Sequence, residues 1–206
     1  MTVPSGHQPP APMVVPQFFV KQRITMMVNR YEIRVANPDG SEGPVMAIAQ
    51  QKRMKLREEV VFFADESQSR RVFSFKARQR MDVGAQHDVV DEYGQPIGYF
   101  SKQFGASLLR STWNLSAPGI EAVGQERNPF IAVLRRVWNF IPILNNIPVP
   151  FLFHFDFTDT RTGATVLSSE KRIALRDHYT VTVPDPRLDL RVAASMAVAL
   201  DALQSR

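Results

Sequence analysis

Two residues on one predicted strand come nearest to catalytic chemistry. In FLFHFDF (residues 151–157), His154 and Asp156 stand two apart and so share a strand face. A carboxylate beside an imidazole is only part of a nucleophilic site, which also needs the nucleophile itself. The chain has no G-x-S-x-G elbow to supply a serine. It also lacks a P-loop, a Rossmann glycine series and an H-E-x-x-H pair. Asp91 and Glu92 flank a turn and read as solvated acids. The expectation is a protein without catalytic machinery, with His154 and Asp156 as the one enzymatic alternative.

Charge recognition is the second chemistry. Lys52, Arg53, Lys55 and Arg57 form one basic run; Arg70, Arg71, Lys76, Arg78 and Arg80 form another, partly along one strand face. Arg135 and Arg136 sit beside Trp138 and Phe140. Each clustered Lys or Arg adds about 1 kcal/mol of attraction to an anionic lipid surface, and basic, Trp-bearing amphipathic helices lie in the membrane interface. The competing reading of that third group is a core helix under a loop, with both arginines simply solvated. Basic clusters also attract nucleic-acid phosphates, but a net charge of +5 and sparse aromatic–basic interleaving disfavour that partner.

With no cysteine in the chain, disulfides, thiolate zinc sites, cysteine nucleophiles and S-palmitoyl anchors are excluded. No basic stretch followed by an apolar one opens the sequence, so no cleavable secretory signal is expected. A cytoplasmic protein, peripheral on the inner face of the plasma membrane, fits these features.

The elements that must carry these residues are mostly strands. The 206 residues suffice for one domain with a large core or two small ones. Residues 1–17 are rich in proline and read as a disordered or polyproline-type tail. From Phe18 onward, short β-rich runs alternate with turns such as Asn37-Pro38-Asp39-Gly40, where Pro sets φ and Gly supplies a positive one. Strict alternation places Phe73, Phe75 and Ala77 on one face and Ser74, Lys76 and Arg78 on the other. Residues 129–150 break this rhythm as an insertion.

The last stretch, DLRVAASMAVALDAL (Asp189–Leu203), is built of strong helix formers. Asp185 and Pro186 are read as its N-cap and first turn, giving a helix over residues 186–204. It is apolar on all sides, so it is buried in protein or lipid. A span needs about 20 apolar residues, and Arg191 and Asp201 bracket this run too closely. Many short strands at regular spacing suggest a sandwich or barrel. A mainly β, closed antiparallel β-barrel enclosing the final helix removes exposed edges and fills its lumen.

NRYEIRVANPDG (29–40), QPIGYFSKQF (95–104), HFDFTDTRTGATVLSSEKR (154–172) and the final DLRVAASMAVALDAL resemble, in their order, the tubby C-terminal-like superfamily. Within it the phospholipid scramblase and LURP-one-related families are the nearest. The resemblance implies a barrel of about twelve antiparallel strands over residues 18–206, threaded by the C-terminal helix. It further implies a non-enzymatic, scramblase-like protein that binds anionic phospholipid at a membrane surface. The alternative is a protein-interaction or regulatory module that uses the Pro-rich tail or the insertion. Scramblases have a proposed calcium loop just before the final helix. Here that region offers Asp177, Asp185 and Asp189 but no D-x-D-x-D-G series, so calcium is a weak expectation and no other cofactor is expected.

Overall fold

The computed structural model describes residues 12–24, 28–52, 59–78, 86–103, 112–127, 154–172 and 178–204. Twelve strands precede one described helix: β1 (Gln17–Ile24), β2 (Val28–Ala36), β3 (Glu42–Lys52), β4 (Glu59–Phe63), β5 (Arg71–Ala77), β6 (Gln86–Asp91), β7 (Pro96–Gln103), β8 (Thr112–Ala117), β9 (Ile120–Glu126), β10 (His154–Asp159), β11 (Thr165–Arg172), β12 (His178–Thr182) and α1 (Leu190–Gln204). Each strand pairs antiparallel with its neighbours in sequence, and β1 closes on β12 with Phe18 opposite Val181. The result is an up-and-down barrel with no free edge.

The two-residue strand period sorts side chains between lumen and exterior. On β10, Phe155, Phe157 and Asp159 are buried, while His154, Asp156 and Thr158 alternate with them on the outer side. The lumen is lined by Phe18, Val20, Ile33, Phe62, Phe73, Phe100, Leu115 and Phe157, among others, and α1 runs through it. Val192, Ala194, Met196, Val198 and Leu200 point in different directions around α1, and all are buried. Full burial of each of the Val, Met and Leu side chains contributes roughly 1.5–3 kcal/mol. At Gly98 the wall touches the helix. A Cβ there would lie 2.7 Å from the Ser116 carbonyl oxygen and 3.0 Å from Val192.

Three details differ from the sequence expectation. The helix starts at Leu190, and its N-cap is Asp189 rather than Asp185. Asp189 Oδ1 accepts the Arg191 N–H at 2.8 Å, whereas Asp185 heads a separate turn closed by Leu188 N–H to its carbonyl. Strand β9 was not read from the sequence at all. The end of the Pro-rich stretch is fastened to the barrel: Met13 N–H donates to Asp189 Oδ2 at 3.1 Å, and the carbonyls of Met13 and Pro16 accept from Leu190 and Val183. Residues 1–11 of the expected 1–17 tail and the insertion over 129–150 lie outside the described residues. No described helix is long and apolar enough to cross a membrane.

Candidate functional site

A lumen occupied by its own helix turns attention to the exterior. The His154–Asp156 candidate lies there, beside a shallow depression of about 390 Å³ lined by Val123, Gln125, Arg127, Asp156 and Thr158. Arg127 grips Asp156 with both arms of its fork, Nε to Oδ2 at 2.6 Å and Nη2 to Oδ1 at 2.7 Å. Ser168 Oγ donates to the same Oδ1 at 2.7 Å. The Arg127 hydrogen bond is the main reason the Asp156 carboxyl titrates below its usual range, with His154 adding the smallest of the effects. Asp156 is thus engaged by Arg127 and Ser168.

The basic residues divide by position. Arg71 faces Glu59 at 3.5 Å and also donates to Ser74. Arg78 pairs with Asp88 at 2.6 Å. Lys76 stands exposed in register between Glu59 and Asp88. Three cations therefore share two carboxylates along this wall. Arg70, whose side chain is exposed, sits in the β4–β5 turn with its carbonyl accepting from Ala64. Lys52 is the last residue of β3. Arg53, Lys55, Arg57, Arg80, Arg135, Arg136, Trp138 and Asp177 lie outside the described residues.

The two remaining calcium candidates are both engaged. Asp185 is held by the Arg187 fork, and Asp189 by the Arg191 fork, with Nε–Oδ1 at 3.0 Å and Nη2–Oδ2 at 2.8 Å. Among the described residues, no three acidic or histidine side chains converge as metal ligands would. Asp91, expected in solvent, is fully buried and accepts the N–H groups of Tyr93 and Gln95. Glu92 beside it is exposed and faces Arg191 at 3.4 Å.

Barrel topology sorts charge between the two ends. Connections leading from even to odd strands, and from β12 to α1, are at the end where α1 begins. In these, Asp39, Asp65, Glu66, Glu92, Asp185 and Asp189 face only Arg70, Arg161 and Arg187. Most of those acids have a backbone task. Asp39, Asp65, Asp185 and Asp189, like the strand-end residues Asp91 and Asp159, each accept the N–H two residues on. This is the side-chain-mimicked turn that aspartate favours. Connections from odd to even strands begin and end at the opposite rim, where Asp201 of α1 accepts from Tyr31 and Tyr179. In sequence those six segments carry Arg53, Lys55, Arg57, Arg78, Arg80, Arg110, Arg127, Arg135, Arg136 and Arg176 against Glu58, Asp82 and Asp177. The connections where α1 begins are acidic because their turns use aspartate, and the others are mostly basic in sequence.

A closed β-barrel wrapped around its own C-terminal helix defines the class of protein. The LURP-one-related family model matches residues 45–201, and the chain belongs to that family. No curated protein matches it. The match begins within β3, so the β1–β2 hairpin lies outside it.

Proposed function

We propose that this protein is a non-enzymatic, scramblase-like member of the tubby C-terminal-like superfamily that binds anionic phospholipid at a cytoplasmic membrane surface. The single observation behind this reading is the difference in charge between the sequences of the two alternating sets of connections. The aspartates of the connections where α1 begins are explained by turn geometry, and the remaining connections carry ten basic residues against three acids in sequence. Lys52, Arg53, Lys55 and Arg57, together with Arg78, Arg135, Arg136 and Trp138, are the proposed contacts. A helix that fills the lumen cannot also anchor the protein in lipid in the same state, so lipid transport by the monomer is not part of the proposal. Calcium is not assigned a role.

The test is flotation with phosphatidylcholine vesicles, with and without phosphatidylserine. At about 1 kcal/mol per basic residue, replacing Arg53, Lys55 and Arg57 by Gln should weaken binding roughly a hundredfold. Binding should also fall as salt is raised. Equal recovery with both vesicle types at low salt removes the proposal.

A protein-interaction module is the second reading, and a separate observation favours it. The exposed large hydrophobic side chains among the described residues are Met13, Val14 and Tyr93, at 40%, 52% and 79%. All three lie at the acidic end, linked through the Asp189–Arg191–Glu92 chain. Partner capture unchanged after Val14→Ser and Tyr93→Ser together would dismiss this surface.

A further inference from the structure

On the outer wall of the β1–β2 hairpin, three guanidinium groups converge on a single carboxylate. Arg30, Glu32 and Arg34 alternate along β2, and the register sets Lys21 opposite Glu32 and Arg23 opposite Arg30. Glu32 is only 3% exposed. Its Oε1 lies 3.1 Å from Arg23 Nε and 4.0 Å from Arg30 Nε, and its Oε2 lies 3.4 Å from Arg34 Nη2. Arg34 Nη1 donates to the Gly43 carbonyl at 3.2 Å. Elsewhere on the wall the pattern is different: Arg71 has Glu59 and Arg78 has Asp88.

The nearby acids only partly offset this excess. Glu42 is taken by Lys21 and faces His178 at 3.4 Å. Glu66, on the β4–β5 turn, reaches Arg30 Nη2 at 2.5 Å while remaining 72% exposed. It is the one carboxylate of the group that can leave without burying or stranding a charge. Arg23 is half-exposed, and the buried Nε atoms of Arg30 and Arg34 make no hydrogen bond.

We infer that this wall is a binding site for a multivalent oxyanion, a phosphate monoester or pyrophosphate group. Glu32 acts as a buried template that holds the arginine forks in place, and Glu66 stands where a ligand oxygen would sit. A phosphate brings two negative charges and several acceptor oxygens, and guanidinium forks match that geometry with short, charge-assisted bonds. The inference does not depend on lipid binding at the basic rim. Its arginines lie outside the residues that the family model covers, whereas Glu66 lies within them.

Calorimetric titration of the full chain with inorganic pyrophosphate at low ionic strength tests it. Wild-type protein should bind. Arg23→Gln with Arg34→Gln should lose about tenfold or more in affinity, whereas Arg71→Gln with Arg161→Gln should change it by less than about twofold. Because the first pair could unsettle Glu32, Glu66→Gln is the independent arm; removing the competing carboxylate should tighten binding a few-fold. No heat with wild-type protein, an equal loss in the control pair, or unchanged or weaker binding in Glu66→Gln each overturns the inference. Flotation on phosphatidic acid vesicles then identifies the source of the phosphate. Loss in the Arg23/Arg34 variant assigns it to a lipid headgroup, and retained flotation with lost pyrophosphate binding assigns it to a soluble ligand.

Discussion

Asp189 gives the sharpest test of how α1 is fixed in the barrel. Its carboxylate caps the helix through the Arg191 N–H, accepts the Met13 N–H, and pairs with the Arg191 side chain, itself 5% exposed. Asp189→Ala removes the cap, worth about 1 kcal/mol. It also leaves a buried guanidinium with Glu92, at 3.4 Å on the exposed side, and the more distant charge of Asp91. Breaking a buried pair by removing one partner costs about 3–5 kcal/mol. Because Glu92 remains, the expected total is about 3–4 kcal/mol. Arg191→Leu removes the charge instead and should cost less. Equilibrium urea unfolding of both single variants and the double variant should therefore yield a coupling of about 2 kcal/mol. Additivity within about 0.5 kcal/mol, or an Asp189→Ala cost no larger than the cap alone, would refute this account. Amide exchange gives a second readout: the Leu190 N–H, bonded to the Met13 carbonyl, should exchange faster in Asp189→Ala.

Gly124→Ala should destabilise by about 1–3 kcal/mol, because its Cβ would fall 2.3 Å from the buried Phe157 ring; Phe157→Leu in the same chain should recover part of that loss in thermal melts. His178 is held below its ordinary value of 6.5, chiefly by burial, with Glu42 opposing and Lys21 and Arg172 reinforcing. Below 6.5 the unfolded chain takes up this proton before the folded one does, so stability should fall as pH drops below 6.5 and level off once the folded-state value is passed. His178→Gln should flatten that part of the melting-temperature profile, and an unchanged slope would show that another group titrates there.

Barrel and helix were both legible because each has a strong periodic signal. The helix is apolar all round, and most strands carry large β-branched or aromatic residues on one face. Strand β9 was not legible. Its inward residues include Ala122 and Gly124, small because the Phe157 ring lies against the Gly124 backbone. That demand comes from β10 and leaves no local signature. The consequence reaches the candidate site. An antiparallel barrel closes only with an even strand count, and missing one strand assigns every later connection to the wrong end. The basic runs were visible in sequence, but assigning them all to odd-to-even connections depends on that parity. Asp91 misled for a related reason: beside Glu92 it reads as solvated, yet as the head of a turn it is buried. Asp185 and Asp189 both precede apolar residues, and only the extra turn at 185–188 decides which one caps. The alternation Arg30, Glu32, Arg34 was available in β2 as an i, i+2, i+4 signal for a shared outer face.

Lipid binding and partner binding need not compete in this architecture. The helix is tied at its start by Asp189 and near its end by Asp201, which accepts from Tyr31 and Tyr179. With both ends of the plug fastened, the two rims of the barrel keep a fixed relation. If the basic rim lies on an anionic surface, the end carrying Met13, Val14 and Tyr93 must face away from it. The chain has no cysteine, so Val14→Cys offers a unique site for a fluorophore on an already exposed residue. On phosphatidylserine vesicles, that label should remain open to an aqueous quencher and untouched by a quencher carried on the acyl chains. Acyl-chain quenching at position 14 would mean that the acidic end meets the lipid, and end-on docking through the basic rim would be wrong even if flotation succeeded.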